Sequence, residues 1–385
     1  MKSIDRAMGD IERAAVVALA SEICAIPSSA TNETAVAEVL ARELDHPRID
    51  LHLEEVVAGR ANLIATVRGR GDRAPLVLNG HTDASFYPDG WSGDPYSPWE
   101  RDGRLFGGGI DDMKGAVAAM TAAVRAAADV DALPGDLIFH AVMHHDTIGL
   151  GEKFILASEG PVEGYGICGE PSDLAIHTAN SGAIRFEMRF TGAPAHISHR
   201  WHGRDALQAA IAVYHALEGL DLPHEPCDRL PDMPQMIVGQ LEGGEGAALV
   251  ADRARIAGDI RSVPGMDRAE VRRLLERTMR AACPDDIESS VRITTVQKPF
   301  IGVESGSFVT ALQDAHAAVF GQRPPVTSAL PGQGFVTDAA DMAHFGLDTV
   351  VYGVGDWRHG PDQSVSIDEL VGSARVYLAV AGFEA

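Results

Sequence analysis

The first 180 residues alternate between segments with helical hydrophobic periodicity and short apolar runs. The helical segments are Asp10–Ile26, Glu33–Leu44 and Met113–Val130. The apolar runs are Ala74–Gly80, Asp136–Met143 and Tyr165–Gly169. Continuous apolar runs of this length are typical of strands that are buried on both faces. The alternation therefore predicts an α/β domain whose mainly parallel sheet carries helices on both faces.

The pattern changes near residue 182, where apolar positions from Ile184 to Phe190 alternate with charged positions. This period of two predicts a strand with one buried face. Further elements are predicted at Arg204–Leu220 (helix), Met236–Leu241 and Arg253–Arg261 (strands), Asp267–Cys283 (helix) and Ile287–Thr295 (strand). The order strand–helix–strand–strand–helix–strand is typical of a ferredoxin-like α+β module. We predict this module at residues 181–296.

After the module the chain returns to α/β character, with a helix at Ser305–Phe320, a strand at Thr349–Gly353 and a helix at Ile367–Ala381. Residues 1–180 and 297–385 are therefore predicted to form one domain into which the module is inserted. The N-terminus carries charges throughout and is interpreted as a helix rather than a signal peptide. No stretch approaches the roughly 20 apolar residues of a membrane span.

The charge balance narrows the classes of partner. Asp and Glu number 55 against 32 Lys and Arg, which gives a net charge of −23. Such a surface repels phosphate backbones and anionic lipid, so we expect neither nucleic-acid nor membrane binding. A small anionic substrate stays compatible with a local cationic pocket. The four scattered cysteines suit a reducing compartment, so a cytoplasmic location is expected.

Residue types that commonly bind metals follow each predicted buried strand. They are His81 and Asp83, then His144, His145 and Asp146, then Glu170, and finally His359. Because open parallel sheets bind ligands at the carboxyl ends of their strands, these side chains are expected to meet at one edge. Asp112 joins them from a predicted helix start, where Asp111 and Asp112 stand at the N-cap position.

Mixed imidazole and carboxylate ligands suit zinc, or cobalt and manganese in the same geometry. Asp83 is placed to hold the ring of His81 from outside the ligand shell. Any one of these residues alone is more often a solvated loop residue. The joint pattern is what predicts a metal site.

Eight segments carry a resemblance to a known family, in family order over nearly the whole chain. They are LNGHTD (78–83), WSGDPYSPWERDGRLFGGGIDDMKG (91–115), GLGEKFIL (149–156), GEPS (169–172), GAPAH (192–196), DIR (259–261), TDA (337–339) and RHGPD (358–362). The chain resembles the zinc hydrolases that include aminoacylase, acetylornithine deacetylase, succinyl-diaminopimelate desuccinylase and glutamate carboxypeptidase. The resemblance implies a zinc exopeptidase-like fold and a cytoplasmic homodimer.

The resemblance also implies two divalent ions and a small-molecule substrate. His81 and Glu170 would bind separate ions, with Asp112 bridging them and His359 completing the site. The inserted module would be the lid and dimerisation domain. His196 would reach the partner subunit's active site and stabilise an oxyanion. Arg261 would hold a substrate carboxylate, a bidentate task that suits guanidinium.

The chain departs from the family at the general base. The family has Asp-Glu-Glu before a Gly-Leu-Gly-like turn, the first Glu being the base and the second a ligand. Aligned on Gly149–Gly151 without a gap, this chain has His144, His145 and Asp146 there. We hypothesise that His145 is the general acid/base, since imidazole titrates near neutral pH, and that Asp146 is a ligand. A shifted register would instead make Asp146 the base and Thr147 a poor ligand.

Other departures affect the expected pocket. Ala248, Gln363 and Gly108 stand where the family has Asn, Glu and Arg. His199 and Arg200 add cationic donors to the module, where an acidic substrate could bind or where the loop is simply exposed.

The sequence thus predicts a metal-dependent hydrolase that cleaves an amide bond in a small carboxylate-bearing substrate, such as an N-acyl amino acid or dipeptide. The alternatives are a non-hydrolytic reaction at the same metals (decarboxylation, elimination or C–N bond formation) and a non-catalytic binding protein.

Overall fold

A computed structural model describes residues 2–29, 31–84, 89–145, 149–159, 163–357 and 360–384. The chain divides into two compact units. The first comprises Met1–Ala179, Phe300–Gly332 and Thr337–Ala385, and the second comprises Asn180–Pro299 with Gln333–Val336. The second unit is thus an insertion into the sequence of the first.

The first unit is built around a sheet to which the described residues contribute eight strands. In spatial order they are Ile49–Val57, Arg60–Val67, Leu137–Val142, Leu76–His81, Gly164–Cys168, Leu347–Val351, Ile176–His177 and Val326–Thr327. The four strands from Leu137–Val142 to Leu347–Val351 run parallel to one another. The predicted parallel sheet is confirmed for this centre.

The two strands at the Ile49 edge were not predicted. Ile49–Val57 and Arg60–Val67 form an antiparallel hairpin, and the second strand pairs antiparallel with Leu137–Val142. Ile49–Val57 carries charged residues and is exposed along most of its length, as an edge strand is. It therefore lacks the apolar run that marks the central strands.

Helices cover both faces of this sheet, as predicted. Side chains alternate between faces along a strand, and neighbouring residues of the central strands enter different apolar clusters. Leu78 and Val350 belong to the main cluster, whereas Val77 and Val351 pack with Leu156 and the helix Ala339–His344. The core of the first unit is therefore two apolar layers with the sheet between them.

The helices of this unit within the described ranges are Ile4–Gly9, Arg13–Cys24, Glu33–Glu43, Gly115–Ala127, Leu150–Glu159, Ser307–Phe320, Ala339–His344 and Ile367–Ala381. A small sheet adds Trp99–Arg101, Arg104–Phe106 and Ser364–Ser366. None of the helices in the described ranges combines the length and apolar composition that a bilayer crossing requires.

The second unit contains a four-stranded antiparallel sheet. Its spatial order is Gln235–Gly243, Arg253–Ser262, Gly182–Thr191 and Glu288–Gln297. The helices Ala206–Leu217 and Arg268–Ala282 pack on it and begin after the capping side chains of Asp205 and Asp267. Element order and strand order are those of a ferredoxin-like module.

A buried ion pair in the first unit gives a test of this fold. Glu33, the first residue of its helix, is fully buried, and Arg60 Nε donates to its Oε2 at 2.9 Å. Because Arg60→Ala leaves that carboxylate unpaired, we expect the free energy of unfolding to fall by about 3–5 kcal/mol, measured by urea denaturation. Arg42→Ala, which removes an exposed pair with Glu22, is the control and should change it little. Equal effects of the two substitutions would contradict the assignment.

Candidate metal centre

His81 is the last residue of the strand Leu76–His81 and is fully buried. Its Nδ1 lies 2.8 Å from the backbone oxygen of Asp83, which can only accept a hydrogen bond. Nδ1 therefore donates its proton to this carbonyl, and Nε2 lies 3.1 Å from Asp112 Oδ1. The Asp83 carboxylate, predicted to hold this ring, is 3.6 Å from Nδ1 and accepts instead from the backbone N–H of His145 at 3.1 Å.

Asp112 lies in a turn, and the predicted N-cap position is wrong. The turn Ile110–Lys114 has non-helical backbone angles at Asp112, and the regular helix begins at Gly115 without a side-chain cap. Lys114 donates from its buried Nζ to Ile23 O at 2.9 Å and Ile26 O at 2.8 Å. Burial lowers the pKa of Lys114 to about 8. The carboxylate of Asp112 faces His81 instead of a helix terminus.

Glu170 follows the strand Gly164–Cys168 and is buried. Neither carboxylate oxygen has a hydrogen-bond donor among the residues that the structure describes. The nearest imidazole nitrogens are Nε2 of His145 at 3.3 Å and Nε2 of His81 at 3.7 Å from Oε1. Burial raises the pKa of Glu170 to about 8. A buried carboxylate without donors is stabilised by protonation or by a nearby cation, which offsets its desolvation.

His145 lies between the strand Leu137–Val142 and the helix Leu150–Glu159. Asn62 contacts the backbone on both sides of it, since its Oδ1 accepts from Met143 N and its Nδ2 donates to Gly151 O, both at 3.0 Å. His144 has a positive φ of 60°, which turns the chain ahead of His145. His145 is consequently buried, with its ring stacked on that of His81 at a centroid distance of 4.6 Å.

Asp338 approaches His145 from the start of the helix Ala339–His344. Its Oδ1 lies 2.9 Å from His145 Nδ1, and it is as buried as the imidazole. Asp338 was not among the predicted site residues. The only signal in the sequence was its place in the family segment Thr337–Ala339, which carried no assigned role.

The electrostatics of the site are dominated by four buried carboxylates, those of Asp83, Asp112, Glu170 and Asp338. Burial would lower the pKa of His145, but Asp338 and Glu170 outweigh this and raise it to about 10. The pKa of His81 is likewise raised well above its usual range, because Glu170 and Asp112 outweigh burial. Burial would raise the pKa of Asp338, but His145 outweighs it and the net shift is downward. The carboxylates therefore stabilise positive charge at the centre of the site, here on the two imidazoles.

These residues fit a divalent metal. Ligand atoms of His81, His145 and Glu170 lie within 4.8 Å of one another, and Asp112 is in contact with His81. The set of imidazoles and carboxylates suits zinc and similar ions. The predicted ligands Asp146 and His359 lie outside the described residues.

The other predicted residues belong to the second unit. Arg261 is partly buried and its Nε lies 3.0 Å from Asp259 Oδ1. His196 is exposed, with Nδ1 2.8 Å from Ser198 Oγ. His199 and Arg200 are exposed in the short helix Ile197–His202.

One of the noted departures has a structural role that the sequence did not indicate. Gln363 is buried, and its Oε1 accepts a hydrogen bond from the backbone N–H of Gly109 at 2.8 Å. Gly109, with a φ of 75°, directly precedes the turn that carries Asp112. Gln363 therefore fixes the start of that turn.

Comparison with known proteins agrees with this site. The model of peptidase family M20/M25/M40 matches residues 77–382. The chain belongs to this family. It is accordingly an enzyme of a metal-dependent hydrolase family, and the resemblance found in its sequence is confirmed.

Individual relatives include deacetylases and a dipeptidase. An acetylornithine deacetylase from Myxococcus xanthus is 29% identical over 330 residues, 83% of each protein. One from Edwardsiella ictaluri is 27% identical over 372 residues, 92% of this chain and 94% of the relative. The structure of the dipeptidase Dug1p from Saccharomyces cerevisiae matches with a TM-score of 0.81 at 14% identity, covering 99% of this chain and 98% of that one. The last likeness shows the shared fold.

The backbone around Glu170 gives a test of the site. A Cβ on Gly353 would collide with the backbone oxygen of Gly169 and lie 2.6 Å from that of Glu170. Gly353→Ala should therefore displace Glu170 and weaken zinc binding by roughly tenfold or more, measured by titration against a competing chelator. The control is Gly9→Ala, whose Cβ meets no described atom within 4 Å. Unchanged zinc affinity in Gly353→Ala would show that Glu170 does not contribute to the site.

Proposed function

We propose that this enzyme hydrolyses an amide C–N bond in a small carboxylate-bearing substrate, such as an N-acyl amino acid or a dipeptide. The observation that carries the proposal is Glu170, whose buried carboxylate faces two imidazoles and has no described hydrogen-bond donor. Membership of the family and similarity to acetylornithine deacetylases support the reaction type.

We assign His81, Asp112 and Glu170 as ligands of a site for two divalent ions, zinc being favoured and cobalt or manganese compatible. The sequence adds Asp146 and His359 to this proposal. The chemistry supplied by divalent cations in such a site is polarisation of a carbonyl oxygen and activation of water.

The chain's own residues prepare this chemistry. The backbone carbonyl of Asp83 holds the proton of His81 on Nδ1, so that Nε2 has a lone pair for a metal. Burial of His81 and Glu170 excludes bulk water and strengthens electrostatic interactions with a substrate.

Substrate recognition is assigned to the second unit. Arg261 is proposed to bind a substrate carboxylate, because guanidinium offers paired donors and Asp259 orients it from one side. His199 and Arg200 are exposed donors that suit an acidic substrate. His196 is proposed to steady the oxyanion of the partner subunit's site, and this role requires a homodimer.

A non-hydrolytic reaction is the second candidate. It is favoured by one observation, the imidazole of His145 among the metal-site residues where the family has a glutamate base. Hydrolysis in labelled water incorporates one labelled oxygen into the product, whereas decarboxylation, elimination or C–N bond formation does not.

The proposed reaction can be tested directly with the metal-loaded protein. We expect amine release from a panel of N-acyl amino acids and dipeptides when zinc or cobalt is supplied. A chelator should abolish the release, and restored metal should recover it, because the cation activates the nucleophile. If no substrate of the panel releases amine at full metal occupancy, amide hydrolysis is contradicted and the non-hydrolytic reaction is favoured.

The role of Arg261 predicts a change in KM that depends on the substrate's carboxylate. Arg261→Ala should raise KM for a carboxylate substrate by roughly 10-fold to 100-fold, since a charged hydrogen bond is lost. The KM for the matching carboxamide should change little. Arg189→Ala is the control, because Arg189 is exposed in the same sheet and pairs with Glu187. Equal changes for both substrates would assign Arg261 a structural role only.

A further inference from the structure

Each ring nitrogen of His145 lies close to a carboxylate oxygen. Nδ1 lies 2.9 Å from Asp338 Oδ1, and Nε2 lies 3.3 Å from Glu170 Oε1. Its ring is nearly parallel to that of His81, with an interplanar angle of 7°. Two stacked imidazoles therefore present Nε2 to the same carboxylate oxygen.

The contact between His145 and Glu170 is not a hydrogen bond. Glu170 Oε1 has no hydrogen-bond donor in the described parts of the chain, although His145 Nε2 is only 3.3 Å away. The axis of Nε2 therefore does not point along the line to this oxygen. Two ligands of one ion have this relation, because each is directed at the ion and not at the other.

The separations between candidate ligand atoms agree with a shared ion. Neighbouring ligand atoms of a tetrahedral zinc site, at bond lengths near 2.0–2.2 Å, are about 3.3–3.5 Å apart. His145 Nε2 and Glu170 Oε1 are 3.3 Å apart, while His81 Nε2 is 3.7 Å from the same oxygen and 3.1 Å from Asp112 Oδ1. The distance from His145 Nε2 to Glu170 Oε1 thus lies within the range of the distances from His81 Nε2 to Glu170 and Asp112.

Asp338 contacts the other ring nitrogen of His145, Nδ1. Ligating imidazoles usually donate the N–H of their other nitrogen to a carboxylate or carbonyl, which fixes the tautomer and raises the basicity of the ligating atom. Asp338 Oδ1 does this for His145, as the carbonyl of Asp83 does for His81. A proton held on Nδ1 leaves the lone pair of Nε2 facing the site.

We propose that His145 is a metal ligand through Nε2, positioned by Asp338, and not the general base that its place in the family motif suggested. The inference rests on the metal site of the proposed function. An added imidazole gives the ligand set a further nitrogen donor and makes it softer. The site should therefore prefer zinc, cobalt or nickel over magnesium or manganese.

Metal binding by purified variants tests this role without any substrate. His145→Ala should weaken zinc binding at one site by roughly 100-fold or more in a competition titration, because a ligand is lost. Asp338→Asn should weaken it by roughly 10-fold to 100-fold and alter the visible bands of the cobalt form at an unchanged melting temperature, with Asp338→Glu restoring part of the loss. His344→Ala, an exposed histidine on the neighbouring helix, is the control and should bind zinc like the parent.

A second variant, His145→Cys, tests the same role if His145→Ala fails to fold. His145→Cys should bind cobalt and show a thiolate-to-cobalt charge-transfer band, which only direct coordination produces. Parental zinc affinity and stoichiometry in His145→Ala, or a cobalt-loaded His145→Cys without this band, would overturn the inference.

The same measurements separate this inference from the proposed function. Metal binding as expected, with no amine released by the parent protein from any substrate, would remove only the hydrolase proposal. A parent protein that binds no divalent metal would remove both.

Discussion

Four carboxylates lie buried together where the central strands of the first unit end, and this concentration of negative charge is the constraint on which the site depends. Desolvated carboxylates repel one another and lack water to stabilise them. Within the described residues, the groups nearest to them are the imidazoles of His81 and His145. Lys114 and Lys153 also act electrostatically on Asp83 and Asp338. Neither imidazole supplies a hydrogen bond to Glu170. The arrangement therefore favours bound cations, in agreement with the metal dependence of the family.

The scaffold holds this unfavourable charge distribution in place through backbone contacts that tolerate little change. The strand carrying His81 pairs in parallel register with its neighbours, so that His81 lies beside Val142. Asn62 hydrogen-bonds to the backbone on both sides of His145. The backbone of Glu170 lies so close to Gly353 that a Cβ on residue 353 would collide with it. Because these contacts use backbone atoms and a buried amide, they position the site independently of the carboxylates' repulsion.

The resemblance implies a glutamate at the position of His145, and an imidazole there would change what the site binds. A carboxylate would add a further negative charge, whereas an imidazole adds a nitrogen donor whose second nitrogen needs an acceptor. Asp338 is that acceptor. His145, which departs from the family motif, is thus paired with Asp338 from a distant segment of the chain. Under the proposal that His145 is a ligand, this pair would hold a borderline metal.

The sequence by itself determined the central strands, most helices and the residues placed at strand ends, because apolar runs and helical periodicity are local signals. It also indicated the family through segments such as LNGHTD (78–83). Only the tertiary structure decided the hairpin that contains the strand Ile49–Val57, because this strand lacks an apolar run. It also decided the turn in which Asp112 lies, where the sequence predicted an N-cap. It alone brought Asp338 to His145, 193 residues apart along the chain. Such pairings depend on how separate elements pack, and no periodicity or spacing along one segment encodes them.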